Sequence, residues 1–170
     1  MMKYLFLTLF GLILFILFKG LGEDPKNIPS NLISQKAPGF ELKKLGKYPL
    51  LKFKDIKIND EPKMINFFAS WCPPCKVEHP FLLELSKEFS IYGIAKKDNF
   101  IDINKWLEKK GNPFVKIGHD HDGLNSINWG VTGLPETFIL DSSGIIKYKH
   151  VGPILKGDME KILKILKRIE

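Results

Sequence analysis

An apolar run, Met64-Ile65-Asn66-Phe67-Phe68-Ala69, leads straight into Trp71-Cys72-Pro73-Pro74-Cys75, and few folds accommodate that succession. The run has the length and composition of a buried strand. The segment behind it reads as a helix, because Pro73 and Pro74 lack N–H groups in the one place, a first turn, where those donors have no intrahelical partner. Cys72 therefore falls at a strand-to-helix junction, against the positive end of a helix dipole. A thiolate is stabilised there, which lowers a thiol pKa from its free value of ~8.5. Cys72 and Cys75 are the only cysteines in 170 residues. One helical turn separates them, close enough to form a disulfide and open it again.

The rest of the chain alternates strands with helices. Residues 39–54 show apolar alternation on both sides of a turn and predict a short antiparallel ribbon. Lys63–Ala69 is the central strand, and a helix follows from Cys72 to about Phe89, with Pro80 inside it. Ile91–Ala95 is the next strand, Asn99–Lys110 an amphipathic helix ended by Gly111, and Phe114–Ile117 a further strand. A short helix over Asp122–Trp129 precedes two strands, Thr137–Asp141 and Ile145–His150, joined through Ser142-Ser143-Gly144. Met159, Ile162, Leu163, Leu166 and Ile169 make the apolar stripe of a closing helix. This order gives an α/β fold with a central mixed sheet flanked by helices.

The first 22 residues differ in kind. Tyr4–Phe18 is uncharged and flanked by Lys3 and Lys19. Counting the flanks, and with both lysines snorkelling, it reaches the ~20 residues that a spanning helix needs. A cleaved signal peptide is the rival, but Lys19 directly follows the apolar stretch and no Ala-x-Ala site comes after it. The pattern favours an uncleaved anchor over residues 1–22, a Pro25- and Pro29-bearing tether over 23–36, and one domain over 37–170. Either reading exports the domain and leaves Lys3 in the cytoplasm. In an oxidising compartment the cysteine pair could be a staple. A bridge across two intervening residues, however, removes little unfolded-state entropy. Zinc would need two further ligands, and among the histidines only His119-x-His121 is closely spaced. The net charge of +7 is carried almost wholly by scattered lysines, Arg168 being the one arginine, so no focused footprint for nucleic acid exists.

Trp71-Cys72-Pro73-Pro74-Cys75-Lys76, with Pro80 in the same helix, resembles the thioredoxin active-site segment. Gly133-Leu134-Pro135-Glu136-Thr137-Phe138 resembles the cis-proline loop that faces it. Over nearly the whole chain the match is closer to the CcmG/DsbE family, membrane-tethered thiol-disulfide oxidoreductases of cytochrome c maturation. It is carried by Ala37-Pro38-Gly39-Phe40, Asn66-Phe67-Phe68-Ala69-Ser70, Cys75-Lys76-Val77-Glu78-His79-Pro80, Tyr92-Gly93-Ile94 and Trp129-Gly130-Val131-Thr132-Gly133. The resemblance implies a thioredoxin-like fold with an N-terminal β-ribbon and one transmembrane helix. It implies an inner-membrane protein whose domain faces the periplasm and reduces the disulfide of apocytochrome c, directly or through a partner thiol protein. Electrons would come from a membrane thiol transporter of the CcdA/DsbD type, and no cofactor is implied. The alternatives are a broader TlpA/ResA-like reductase and a non-enzymatic metal-binding module.

Within that resemblance Cys72 is the expected nucleophile, being exposed at the helix start, and Cys75 the resolving thiol. Pro135 is the expected cis proline, presenting the Leu134 backbone to a partner. Trp71, Pro73 and Pro74 pack and shape the surround. Asn66 stands where thioredoxins often carry a buried Asp, and an amide cannot carry a proton. Proton transfer to Cys75 then falls to another carboxyl: Glu78 first, one turn beyond Cys75, and Glu136 second. His79 reads as a helix-surface residue.

Overall fold

The computed structural model describes residues 2–20, 30–57 and 61–169. A helix α1, Met2–Gly20, comes first. The remaining elements are β1 (Lys63–Phe68), α2 (Pro73–Leu85), β2 (Ser90–Lys96), α3 (Phe100–Lys110), β3 (Lys116–Asp120), α4 (Leu124–Asn128), β4 (Glu136–Leu140), β5 (Ile146–Val151) and α5 (Lys156–Arg168). The strands form one mixed sheet in the order β3-β2-β1-β4-β5. β1 pairs in parallel with β2, and β2 with β3; β4 lies antiparallel to both β1 and β5.

Every residue of β1 is buried, because the strand is central and both its faces are covered. Met64 and Phe68 point to the layer made by α2, α3 and α5, where they meet Leu82, Leu85, Ile103, Leu107, Ile162 and Leu166. Ile65 and Phe67 point to the opposite layer, with Trp129, Phe138, Leu140 and Ile146. Phe67, Phe138 and Trp129 meet edge-on or tilted there, with centroids 5.1–5.6 Å apart. Asn66 lies between Ile65 and Phe67 and so faces the helical layer, opposite Thr137 of β4.

The ribbon expected over 39–54 does not form. Its two halves pair with the outer edge of β3 instead of each other: Lys43 exchanges backbone hydrogen bonds with His119 (2.9 and 3.0 Å), and Ile117 donates to Pro49 (3.0 Å). The cause is where its apolar residues go. Leu45 and Tyr48 are buried in the helical layer, while Phe40 and Leu51 are buried in the other, so the segment wraps the sheet edge and ends in a 3₁₀ turn at Phe53–Lys57. Of the expected tether, residues 23–29 lie outside the described residues. The remainder turns at 30–35 and bridges β5, with Ser34 donating to Ile146 (2.8 Å) and Ile146 to Gln35 (2.9 Å). Helix α2 runs through Pro80 and stops at Leu85, short of Phe89, which is reached through turns at Ser86–Glu88.

Candidate active site

Cys72 is the N-cap of α2 in extended conformation (φ −85°, ψ 112°), with the two prolines in the first turn. Its Sγ accepts a hydrogen bond from the Cys75 backbone N–H at 3.3 Å, and the two sulfurs are joined in a disulfide with Cα atoms 5.3 Å apart. The expectation that Cys72 is exposed fails for this oxidised form: Cys72 is 3 % and Cys75 1 % exposed. What separates the two sulfurs is electrostatic. Cys72 takes the helix-end N–H group and the positive end of the dipole, whereas Cys75 lies inside the first turn.

Trp71, 58 % exposed, projects beside the pair and donates its indole N–H to the Lys97 carbonyl at 3.1 Å. Ser70 is held by the next residue of that loop. Its backbone N–H and its hydroxyl both donate to the Asp98 carboxylate, the hydroxyl at 2.9 Å. Lys97 occupies the left-handed region (φ 46°). The β2–α3 turn thus clamps the residues that enter the cysteine motif, and sequence reading gave no sign of it. Asp98 is 28 positions from Ser70, in a stretch whose composition says only "turn".

Beneath α2, Glu78 is fully buried. Its Oε1 accepts from Asn66 Nδ2 at 2.9 Å and its Oε2 from the Ile154 backbone N–H at 3.1 Å. The same Asn66 amide donates to Thr137 Oγ1 at 3.0 Å. Burial outweighs both hydrogen bonds to the carboxylate and pushes the Glu78 carboxyl up to about 7. The sequence position of Asn66 and the helix position of Glu78 are therefore one site: the amide on β1 orients a titrating carboxyl on α2.

His79 corrects the sequence reading. It is 3 % exposed, not a surface residue; its ring lies 4.6 Å from Trp106 and its Nε2 is 3.0 Å from the Gly111 carbonyl oxygen. Trp106 of α3 covers the ring, and burial holds the imidazole below its ordinary value.

The Leu134–Pro135 peptide bond is cis. Pro135 is buried, and Leu134 is half-buried against the cluster that contains both cysteines. Glu136 is fully buried. Its Oε1 accepts from the Thr132 N–H (2.9 Å), the Thr132 hydroxyl (2.6 Å) and the Gly133 N–H (3.2 Å). Its Oε2 is in ion-pair contact with Lys149 Nζ at 2.8 Å. Among the described residues no group of three or more metal-ligating side chains converges.

A strand-to-helix CxxC and a cis-proline loop on a mixed sheet define a thioredoxin-fold disulfide oxidoreductase. The redoxin family pattern matches residues 33–166, and the chain belongs to that family. Its relatives narrow the class to the DsbE-type thiol:disulfide interchange proteins, among which this chain falls. A DsbE homolog of Paracoccus denitrificans (strain Pd 1222) is 41% identical over 139 residues, covering 81% of this chain and 76% of that one. DsbE of Escherichia coli (strain K12) is 36% identical over 146 residues, covering 85% and 79%. A DsbE-type crystal structure from Chlorobium tepidum superposes with a TM-score of 0.70 at 26% identity, covering 81% of this chain and 98% of that one. The protein is a thiol-disulfide oxidoreductase.

Proposed function

We propose that this chain is a membrane-tethered periplasmic reductase that opens the disulfide of apocytochrome c, or of a thiol protein acting on it, before haem attachment. The observation that carries the proton-transfer step is Glu78, a buried carboxyl titrating near neutrality one turn beyond Cys75; the reducing direction rests on the resemblance to DsbE-type proteins. The chain-wide resemblance to DsbE-type proteins supports the substrate class. Cys72 is the nucleophile. Its thiolate attacks one substrate sulfur, an S–S bond forms between them, and the other substrate sulfur leaves as a thiolate that takes up a proton. Cys75 then loses its proton to the Glu78 carboxylate, its thiolate attacks Cys72 Sγ, and the second substrate thiol departs as the Cys72–Cys75 disulfide closes. Pro135 and the Leu134 backbone receive the substrate chain, and Trp71 borders the approach to it. A membrane thiol transporter of the CcdA/DsbD type supplies two electrons to reopen the pair.

The test is capture. With Cys75→Ala in the full-length chain the mixed disulfide cannot resolve, so a chain bearing Cys-x-x-Cys-His, or a thiol protein of cytochrome maturation, should be trapped on Cys72. A captured set containing neither would defeat the substrate assignment. A midpoint potential near the strongly oxidising value of about −120 mV would defeat the reducing direction.

A further inference from the structure

The cis-proline loop is held from below by a buried ion pair. Glu136 Oε1 takes three donors from Thr132 and Gly133, the two residues immediately before Leu134. Its Oε2 faces Lys149 of β5, whose side chain is only 4 % exposed and whose Nζ donates to the Gly130 carbonyl at 2.8 Å. The same ammonium lies 5.4 Å over the Phe138 ring. On the far side of the proline, the Pro135 carbonyl accepts from the Gly152 N–H at 3.0 Å. Residues 130, 132, 133 and 135 are thus all tied to β4, to β5 or to Gly152 directly after it, and Leu134 enters none of those bonds. Oε1 carries all three hydrogen bonds and Oε2 has only the ion-pair contact with Lys149, so protonating the carboxyl would leave the buried Lys149 ammonium without its counter-charge.

We infer that Glu136 and Lys149 are positioning residues: their ion pair sets the shape of the Thr132–Pro135 loop that receives the substrate chain, and Glu136 takes no part in proton transfer. This rests on the docking role proposed above for Leu134 and Pro135, but not on the substrate's being a cytochrome. The charge pair acts on docking and leaves the sulfur chemistry to Cys72, Cys75 and Glu78.

The test uses the full-length chain in detergent with two oxidants: a disulfide-bonded Cys-x-x-Cys peptide, which must dock, and Ellman's reagent, which need not. Glu136→Gln combined with Lys149→Met removes both charges together and avoids stranding either one. In single-turnover mixing of the pre-reduced chain, the peptide concentration giving half the maximal rate (the KM for the peptide) should rise about fivefold or more in that variant, with the maximal rate within about twofold. The rate with Ellman's reagent, and its pH profile, should stay within about twofold of wild type. Thr132→Val, a change at an exposed residue that leaves the core intact, should raise the peptide KM about two- to threefold. An unchanged peptide KM in both variants, or a shifted pH profile with Ellman's reagent, would overturn the inference. Failure of the wild-type chain to prefer a Cys-x-x-Cys-His peptide over other peptides would count against the cytochrome reading alone.

Discussion

Among the described residues, Glu78 is the carboxylate whose environment departs furthest from an ordinary one. Its carboxyl titrates near 7 in the folded chain against 4.5 as a free side chain, because burial outweighs the hydrogen bonds from Ile154 and Asn66. A raised carboxyl pKa means the folded state keeps its proton where the unfolded state has lost it. The stability this confers is complete below pH 4.5 and is lost as pH rises through 7, about 3 kcal/mol in all at 1.36 kcal/mol per unit. Urea unfolding of the oxidised full-length chain in detergent should therefore show stability falling across that window. Glu78→Gln should flatten the fall, and equal slopes in the two proteins would refute the assignment. The same substitution should slow release of the peptide from the Cys72 mixed disulfide by about 10²-fold at pH 7, the lower range for loss of a general base, as followed by quenched-flow. Sequence reasoning reached Glu78 because Asn66 could not carry a proton. It could not reach Ile154 or Thr137, which lie 76 residues from Glu78 and 71 from Asn66 and meet them only through the sheet. His79 was misplaced for a related reason: its neighbour on the helix face is solvent in sequence terms, but Trp106 covers it in the fold.

At the scale of elements, the alternation of strands and helices was legible because each has its own period and its own punctuation. The N-terminal segment was not. Its alternation was real, but the partner for its backbone was β3, some 70 residues away, and no local turn could show that. Residues 43–51 cover the outer edge of β3, while residues 34–37 reach β5 only at its first residue, Ile146. The β3 edge is thereby closed to the strand-to-strand association that an unpaired edge invites. The centre of the sheet is just as exacting. Phe68 of β1 stacks on Phe114 with centroids 4.6 Å apart, directly over Gly93 of β2. A Cβ at Gly93 would lie 2.8 Å from Phe68 Cε1 and 3.0 Å from Phe114 Cγ and Cδ1. Gly93→Ala should therefore cost about 1–3 kcal/mol through overpacking. Denaturant unfolding with an unchanged m-value would show it, and a neutral result would mean that the ring pair moves freely.

For the whole molecule, the fold explains a redox site, and α1 is long and apolar enough to span a membrane. Helix α1 is 19 residues long, about 28 Å at 1.5 Å per residue, against a hydrocarbon thickness of ~30 Å. Its leucines, isoleucines and phenylalanines from Leu5 to Phe18 are all exposed, so the protein itself offers that surface no cover. Lys3 and Lys19 bracket the apolar stretch, each able to reach an interface. Such a helix is long enough to cross with little tilt, and in the function proposed above it keeps the domain where the proposed membrane-embedded electron donor would meet it. Leu12 lies near the middle of the span. Leu12→Arg exchanges a residue worth about −0.5 kcal/mol at the helix centre for one costing about 2.5–3.5 kcal/mol. The wild-type chain should resist carbonate extraction from membranes, and the variant should appear largely in the extracted fraction. Added protease should digest the wild-type domain in intact spheroplasts, because Lys3 keeps the N-terminus inside. A domain protected until the membrane is broken would place the redox site in the cytoplasm, where glutathione already keeps thiols reduced and a tethered reductase would have little to do.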